Sequence, residues 1–203
     1  MIDATHWERL CAMDPRDVAA RSLADYDAQS AEYRLRILTD EVRISPEKRT
    51  VAWPPETLAA KAPGFNYWLV SVVYLLSAKA LAPKGDWVSA TSLPYGEFFF
   101  RGPHALPTDS VAAAFGDRPE AFERAAAALG GKPSPVARGS FVLPALPRVP
   151  MLAQFWEGDE EFPARASFLF DSTAGEHLMV DAILSLSAIV AKRLVETGTA
   201  LPG

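Results

Sequence analysis

A chain of 203 residues with 49% hydrophobic and 22% charged residues has the composition of an ordinary globular protein, and its length suits one domain burying roughly 70% of its unfolded surface. The net charge of -5, with lysines and arginines scattered and never three in a row, excludes the basic stripe of a nucleic-acid binder. The one cysteine, Cys11, excludes an intrachain disulfide and a cysteine-held iron–sulfur cluster, and a reducing cytoplasm is the expected location.

The start, MIDATHWERL, has neither the basic nor the apolar region of a signal peptide. A short helix is expected over 7–13. Asp14-Pro15-Arg16-Asp17 then opens a second helix, with Asp14 as cap and Pro15 in the first turn. In the segment after it, Tyr33, Leu35 and Ile37 alternate with Arg34 and Arg36. That period of two predicts a strand with one wet face. Turns at Thr39-Asp40 and Ser45-Pro46-Glu47-Lys48 extend it to a three-stranded meander ending at Trp53. Arg34, Arg36 and Arg43 either bind an anion or solvate an open sheet face. A helix over 66–81 contains the longest apolar run, YWLVSVVYLL, which is too short for the about 20 residues of a membrane span and reads as a central core helix.

Lys84-Gly85-Asp86 turns into a short strand at 87–89. SLPYGEFFFRGPH follows, where Tyr95-Gly96 marks a backbone bend beside an aromatic cluster that either walls a flat ligand or packs the core. Helices are expected over 108–115, stopped by Gly116, and over 118–129, capped by Asp117 and stopped by Gly130-Gly131. PALPRVP is too rich in proline for a central strand and reads as a rigid connector or sheet edge. MLAQFWE and ARASFLF form a hairpin around GDEEFP. Thr173 and Glu176 have the spacing of a capping box for a last helix, which carries Met179, Ile183, Leu186, Val190 and Leu194 on one face. That helix ends near Gly198, with a frayed tail.

Several chemistries lack their residues. HExxH, CxxC, GxSxG and GxGxxG are absent. Leu129-Gly130-Gly131-Lys132-Pro133-Ser134 is not a phosphate loop, because Ala126 replaces its first glycine and Pro133 its hydroxyl residue. Four acids fall within five positions at the hairpin, Glu157, Asp159, Glu160 and Glu161, and Asp171 and His177 follow. Like charges about 4 Å apart repel by only about 1 kcal/mol in water, so an exposed acidic tip costs little. Glu157 can pair with Arg165 across the hairpin. Asp171 can accept backbone N–H groups at the start of the last helix, or hold the ring of His177. The positive end of that helix keeps His177 neutral. No residue is assigned to a metal, and no motif names a cofactor.

The order of Asp14-Pro15 with Val18 and Ala19, Gly85-Asp86-Trp87-Val88, Leu93-Pro94-Tyr95-Gly96 with Phe99, Leu129-Gly130-Gly131, the 143–150 connector, Gly158-Asp159-Glu160-Glu161-Phe162-Pro163 and Leu169-Phe170-Asp171 with His177-Leu178 resembles an uncharacterised prokaryotic family, domain of unknown function three-seven-eight-six. The resemblance implies no activity. It implies an origin mainly among anaerobic bacteria and archaea. Some relatives carry a four-cysteine iron–sulfur segment ahead of the domain, like that of corrinoid iron–sulfur proteins. With one cysteine, this chain departs from that pattern, and cluster binding does not carry over.

The expected architecture is α+β, a single domain with an antiparallel sheet packed on helices, made of helices and a meander over 5–53, a helical middle over 64–131 and a hairpin and helix over 140–197. The expected role is a cytoplasmic ligand-binding or accessory domain, near corrinoid or redox metabolism if the resemblance extends that far. Its pocket would combine Tyr95, Gly96 and Phe99 with Asp159, Glu161, Asp171 and His177. The alternatives are a metal-assisted hydrolase or lyase using Asp159, Glu161, Asp171 and His177, and a protein-interaction module without ligand. The expected partner is a small molecule or another protein, with no nucleic acid and no membrane.

Overall fold

The computed structural model describes residues 3–55, 62–101 and 103–200. Gly102 of the aromatic segment and the last three residues of the expected tail lie outside them. The chain opens with α1 (Ala4–Ala12) and α2 (Pro15–Ser22), each begun by an aspartate whose carboxylate accepts a backbone N–H of the first turn, Asp3 from Thr5 at 2.8 Å and Asp14 from Arg16 at 2.9 Å. Then come β1 (Asp25–Asp27), β2 (Glu32–Ile37), β3 (Asp40–Ser45) and β4 (Thr50–Ala52), an antiparallel meander in chain order. Tyr33, Leu35 and Ile37 are buried and Arg34 and Arg36 exposed, as the alternation predicts. The sheet has four strands rather than three. The extra one, β1, is Asp-Tyr-Asp, too short and too polar to show a period.

The second sheet is assembled from distant pieces. After α3 (Phe65–Ser77) come β5 (Trp87–Val88), a 3₁₀ turn at Ala90–Ser92, α4 (Gly96–Phe99), α5 (Thr108–Phe115), α6 (Pro119–Ala128), β6 (Lys132–Pro133), β7 (Ser140–Leu146), β8 (Val149–Trp156) and β9 (Arg165–Asp171). The strands are antiparallel in the order β5-β9-β8-β7-β6. The proline-rich connector is therefore the inner part of this sheet, not its edge. The register shifts between Leu143 and Leu146, which takes Pro144 out of the ladder, and Pro150 lies between the paired residues Val149 and Met151. Neither proline occupies a position where a donor is required, so the usual objection to proline in a central strand does not apply.

Two helices follow, the short α7 (Ala174–His177) and the 21-residue α8 (Val180–Ala200). The expected capping box is absent: Thr173 makes no side-chain cap, its hydroxyl turning back to Asp171 at 2.7 Å, and Glu176 pairs with Lys79. The chain passes through an extended residue, Leu178, before α8 begins. Met179 thus falls outside the buried stripe and is 69% exposed, while Ile183, Leu186, Val190 and Leu194 are buried as expected. Asp117 does not cap α6, which starts from Arg118 with no side-chain cap. Helix α8 packs against α3, α5 and α6. Its contact with α5 is close enough that a Cβ on Gly198 would lie 2.4 Å from the Phe115 ring. Among the described residues, eight helices and two antiparallel sheets packed together make the protein α+β.

A small polar hub joins the halves. Tyr74 of α3 donates its hydroxyl to Ser22 O (2.9 Å) and accepts Arg148 N (3.2 Å). Arg148, in the β7–β8 turn, donates Nε to Arg21 O (2.6 Å) and Nη1 to Leu81 O (3.3 Å). Arg21 donates to Leu75 O and Ala78 O, both at 2.6 Å, at the end of α3. Leu38 N, just past β2, donates to Ala145 O at 3.2 Å, a direct tie between the sheets. Charged donors to carbonyls are worth about 1.5–3 kcal/mol each, and removing one partner leaves the other unsatisfied. Arg148→Met, which keeps the apolar stem, should destabilise the protein by about 2–4 kcal/mol in urea unfolding, whereas Arg138→Met, at an exposed loop position, should change it by less than about 0.5 kcal/mol.

Candidate functional site

Asp171 ends β9 and is fully buried. Its Oδ1 accepts Thr173 N (3.0 Å), Thr173 Oγ1 (2.7 Å) and Lys84 N (3.1 Å), and its Oδ2 accepts Gly85 N (2.6 Å). Burial on its own raises the pKa of this carboxyl, but the bonds from Thr173, Gly85 and Lys84 outweigh it and hold the value below the ordinary range. The carboxylate is ionised and its acceptor sites are taken. His177, also fully buried, accepts Lys79 N on Nδ1 at 3.3 Å. Nε2 therefore carries the proton, and it has no partner among the described residues. Burial, then the charge of Arg148, push the imidazole pKa down, so the ring is neutral at pH 7.

These two residues do not bond each other. Each instead fastens the segment after α3 to the end of the second sheet. The same seam includes Ser77 Oγ donating to His177 O (2.6 Å), Ser172 N donating to Asp86 O (2.8 Å) and the Lys79–Glu176 pair (2.5 Å). Residues 78–86 form neither helix nor strand, so their inward-facing N–H groups require other acceptors.

The aromatic bend is real. Tyr95 is in the left-handed region at φ 63°, and a Cβ on Gly96 would stand 2.0 Å from Ala90 O, so only glycine fits. Tyr95 is 85% exposed and Phe98 89%. Phe99 is half-buried, and its flat face is covered by the imidazole of His104, stacked at 4.4 Å and 11°. The bend touches α7: a Cβ on Gly175 would fall 2.6 Å from Pro94 Cδ. The Tyr95 segment thus lies beside the stretch that carries His177.

The acidic tip lies elsewhere. Asp159 and Glu161 are exposed in the loop before β9, and Asp159 Oδ1 accepts Glu161 N (2.9 Å) and Phe162 N (2.7 Å) in a self-contained turn. Strand β9 separates this tip from Asp171 by six steps, about 20 Å. Arg165 does not pair with Glu157; its guanidinium lies over the Trp156 ring at 5.6 Å. Among the described residues no three His, Cys, Asp or Glu side chains come together as a metal site.

A recess lined by two arginines lies between the two sheets. A cleft of about 780 Å³ is walled by Arg34, Arg36, Leu38 and Glu41 of the meander and by Gly130, Pro144 and Pro147 of the other side. The side chains of Arg34 and Arg36 make no hydrogen bond or ion pair among the described residues, although Asp25 and Glu41 face them in register on the neighbouring strands and the charge of Arg34 reaches Asp27. Arg43, the third arginine of the sequence pattern, is taken by Glu32. The pattern predicts the wet face that carries the arginines. It does not predict the opposite wall, because nothing local announces that the 143–150 connector folds over that face.

Two antiparallel sheets tied by a polar hub, with an open cleft between them, define an α+β protein in which no helix among the described residues is long and apolar enough to cross a membrane. The chain belongs to the family described as Domain of unknown function (DUF3786), whose family model matches residues 14–193. No curated protein and no solved structure matches it.

The buried seam has a pH signature. His177 titrates below its ordinary value of 6.5, so the unfolded chain takes up that proton first, and the stability it confers is lost as pH falls below about 6.5 toward the depressed value. Asp171, held below 3.8, confers stability that is present above that value and lost as pH falls through its folded value. Urea midpoints measured from pH 8 to pH 3 should fall in two stages. His177→Gln should flatten the stage between pH 7 and 5, and Asp171→Asn should lower the midpoint at pH 7 and flatten the stage below pH 4.

Proposed function

We propose that the protein is a ligand-binding or accessory domain whose site is the cleft between the sheets, and that its ligand carries a carboxylate or phosphate. The observation that carries this reading is the free state of Arg34 and Arg36. Arg21, Arg43, Arg148 and Arg193 are each engaged by a carboxylate or carbonyl, whereas these two present their donors to one recess together, where Arg16 stands alone at its neighbour. They lie two positions apart on one face of β2, about 7 Å along the strand, a span that one anion can bridge. The guanidinium fork matches carboxylate and phosphate oxygens in pairs.

Beside the two arginines the cleft is lined by the carboxylates Asp25 and Glu41 and the hydroxyl of Thr39. The metal-assisted reading draws no support from the geometry, since Asp159 and Glu161 stand at the other end of β9 from Asp171 and His177. A second reading, a partner-protein surface at α4, draws on the exposure of Tyr95 and Phe98.

Calorimetric titration with phosphate and citrate at low ionic strength tests the cleft. Wild-type protein should bind at least one of them. Arg34→Gln and Arg36→Gln should each weaken that binding at least tenfold with an unchanged urea midpoint, and Arg138→Gln should leave it alone. Wild-type protein that binds neither anion refutes the reading.

A further inference from the structure

We infer that the occupant of the cleft is an elongated amphipathic anion, an acidic head with an apolar chain, whose chain runs across Leu23 into a second recess along α2. This rests on the anion reading above and adds the shape and polarity of the ligand. The second recess, about 800 Å³, lies against the first, and Leu23 and Asp25 are walls of both. Away from that boundary its lining is mostly small and apolar, with Pro15, Ala19, Ala20, Ala24 and Tyr26, and Arg16 is its one cation. Asp14, also at this recess, already spends a carboxylate oxygen on the first turn of α2.

Leu23 is the residue that joins the two. It ends α2 in the left-handed region, at φ 58° and ψ 28°, where glycine or asparagine is the usual solution. A leucine there carries backbone strain, and 55% of it faces solvent. Stability alone favours neither property, so an exposed, strained apolar residue at the junction of two recesses points to a contact made with something else. Charge gives the ligand its direction. The Asp25 carboxylate marks the boundary of both recesses, and the head goes to the side with two guanidinium forks, Arg34 and Arg36, against the single one of Arg16 on the other, leaving the chain to Leu23, Ala20 and Tyr26.

The test uses the full chain and a homologous series below its micelle concentrations: butanoate, hexanoate and octanoate, with octyl phosphate beside inorganic phosphate. Burial of one methylene raises affinity by roughly two- to fourfold, so octanoate should bind at least tenfold more tightly than butanoate, and octyl phosphate at least tenfold more tightly than phosphate. Leu23→Gly should abolish this gain while keeping phosphate affinity and a thermal midpoint no lower than wild type. Ala20→Trp, which fills the second recess from an exposed helix position, should abolish it as well. Arg36→Gln should weaken every member of the series. If phosphate and butanoate bind but chain length adds nothing, or if the gain survives in both Leu23→Gly and Ala20→Trp, the inference falls and the anion site stands. If no member binds wild-type protein, the anion reading itself falls. Retention on phosphatidic-acid vesicles without binding of octyl phosphate in solution would also overturn it, since the head would then be read in a membrane.

Discussion

The structure depends on how the carbonyls at the ends of α2 and α3 are satisfied. Each helix leaves its last C=O groups without an internal partner, and here both ends are turned inward, near Ser22 and near Leu75 to Ala78. Water does not reach the Tyr74 side chain, which is fully buried. Arg21, Arg148 and Tyr74 supply the donors instead. Each of these bonds also crosses between elements, so the same atoms that relieve the helix ends fix α2 against α3, and both against the β7–β8 turn. Burial holds the Tyr74 phenol protonated, which keeps its donor in place across the physiological range. The cleft follows from this arrangement. With α2 locked to the β7–β8 turn, Leu23 and β1 come to rest opposite Pro144 and Pro147.

The same solution recurs wherever irregular chain is buried. Residues 78–86 lack a ladder, and Asp171 and His177 accept their inward N–H groups. At the outer side of α3, Asp40 accepts Tyr67 Oη (2.5 Å) and pairs with Arg193 of α8 (3.0 Å), fastening the first sheet to the central helices. A carboxylate suits such places because it accepts several N–H groups at once, and its charge strengthens each bond. The causes that lower the Asp171 pKa are backbone and threonine donors of the chain itself, a structural set rather than a substrate-facing one.

What was legible in the sequence was what local physics determines. The alternation at 33–37, the aspartate cap at Asp14, the stop at Gly116 and the α+β class all follow from residues within a few positions of each other. The illegible parts are those decided at long range. β1 has no period because its three residues pair only at the sheet margin. PALPRVP looks like an edge unless it is known that a register shift excuses Pro144 and that Pro150 lies between paired positions. The Thr173–Glu176 spacing is a sound local signal that loses to two stronger claims, Asp171 on the threonine hydroxyl and Lys79 on the glutamate. The site residues divide in the same way. Tyr95, Gly96, Asp171 and His177 are special positions, visible as such, and the structure accounts for Gly96, Asp171 and His177 by backbone and burial. That Asp159 and Glu161 lie a strand's length from Asp171 was implicit in the hairpin itself, since a strand separates its tip from its far end.

The proposed anion site must work in a cleft of mixed charge. Two guanidiniums about 7 Å apart repel each other by only about 0.6 kcal/mol in water, and the in-register acids Asp25 and Glu41 offset part of that. The chain therefore holds the pair at small cost without consuming their donors in tight ion pairs. The same acids limit how much attraction a bare monoanion feels, because the cleft offers it donors without a large net field. Affinity must then come from geometry and from apolar area. A ligand that places paired oxygens on the guanidiniums gains directed bonds, and one that also covers Leu23 gains burial that a small inorganic ion cannot. On the proposed reading, mixed charge at the head and an exposed leucine at the neck favour the same kind of molecule.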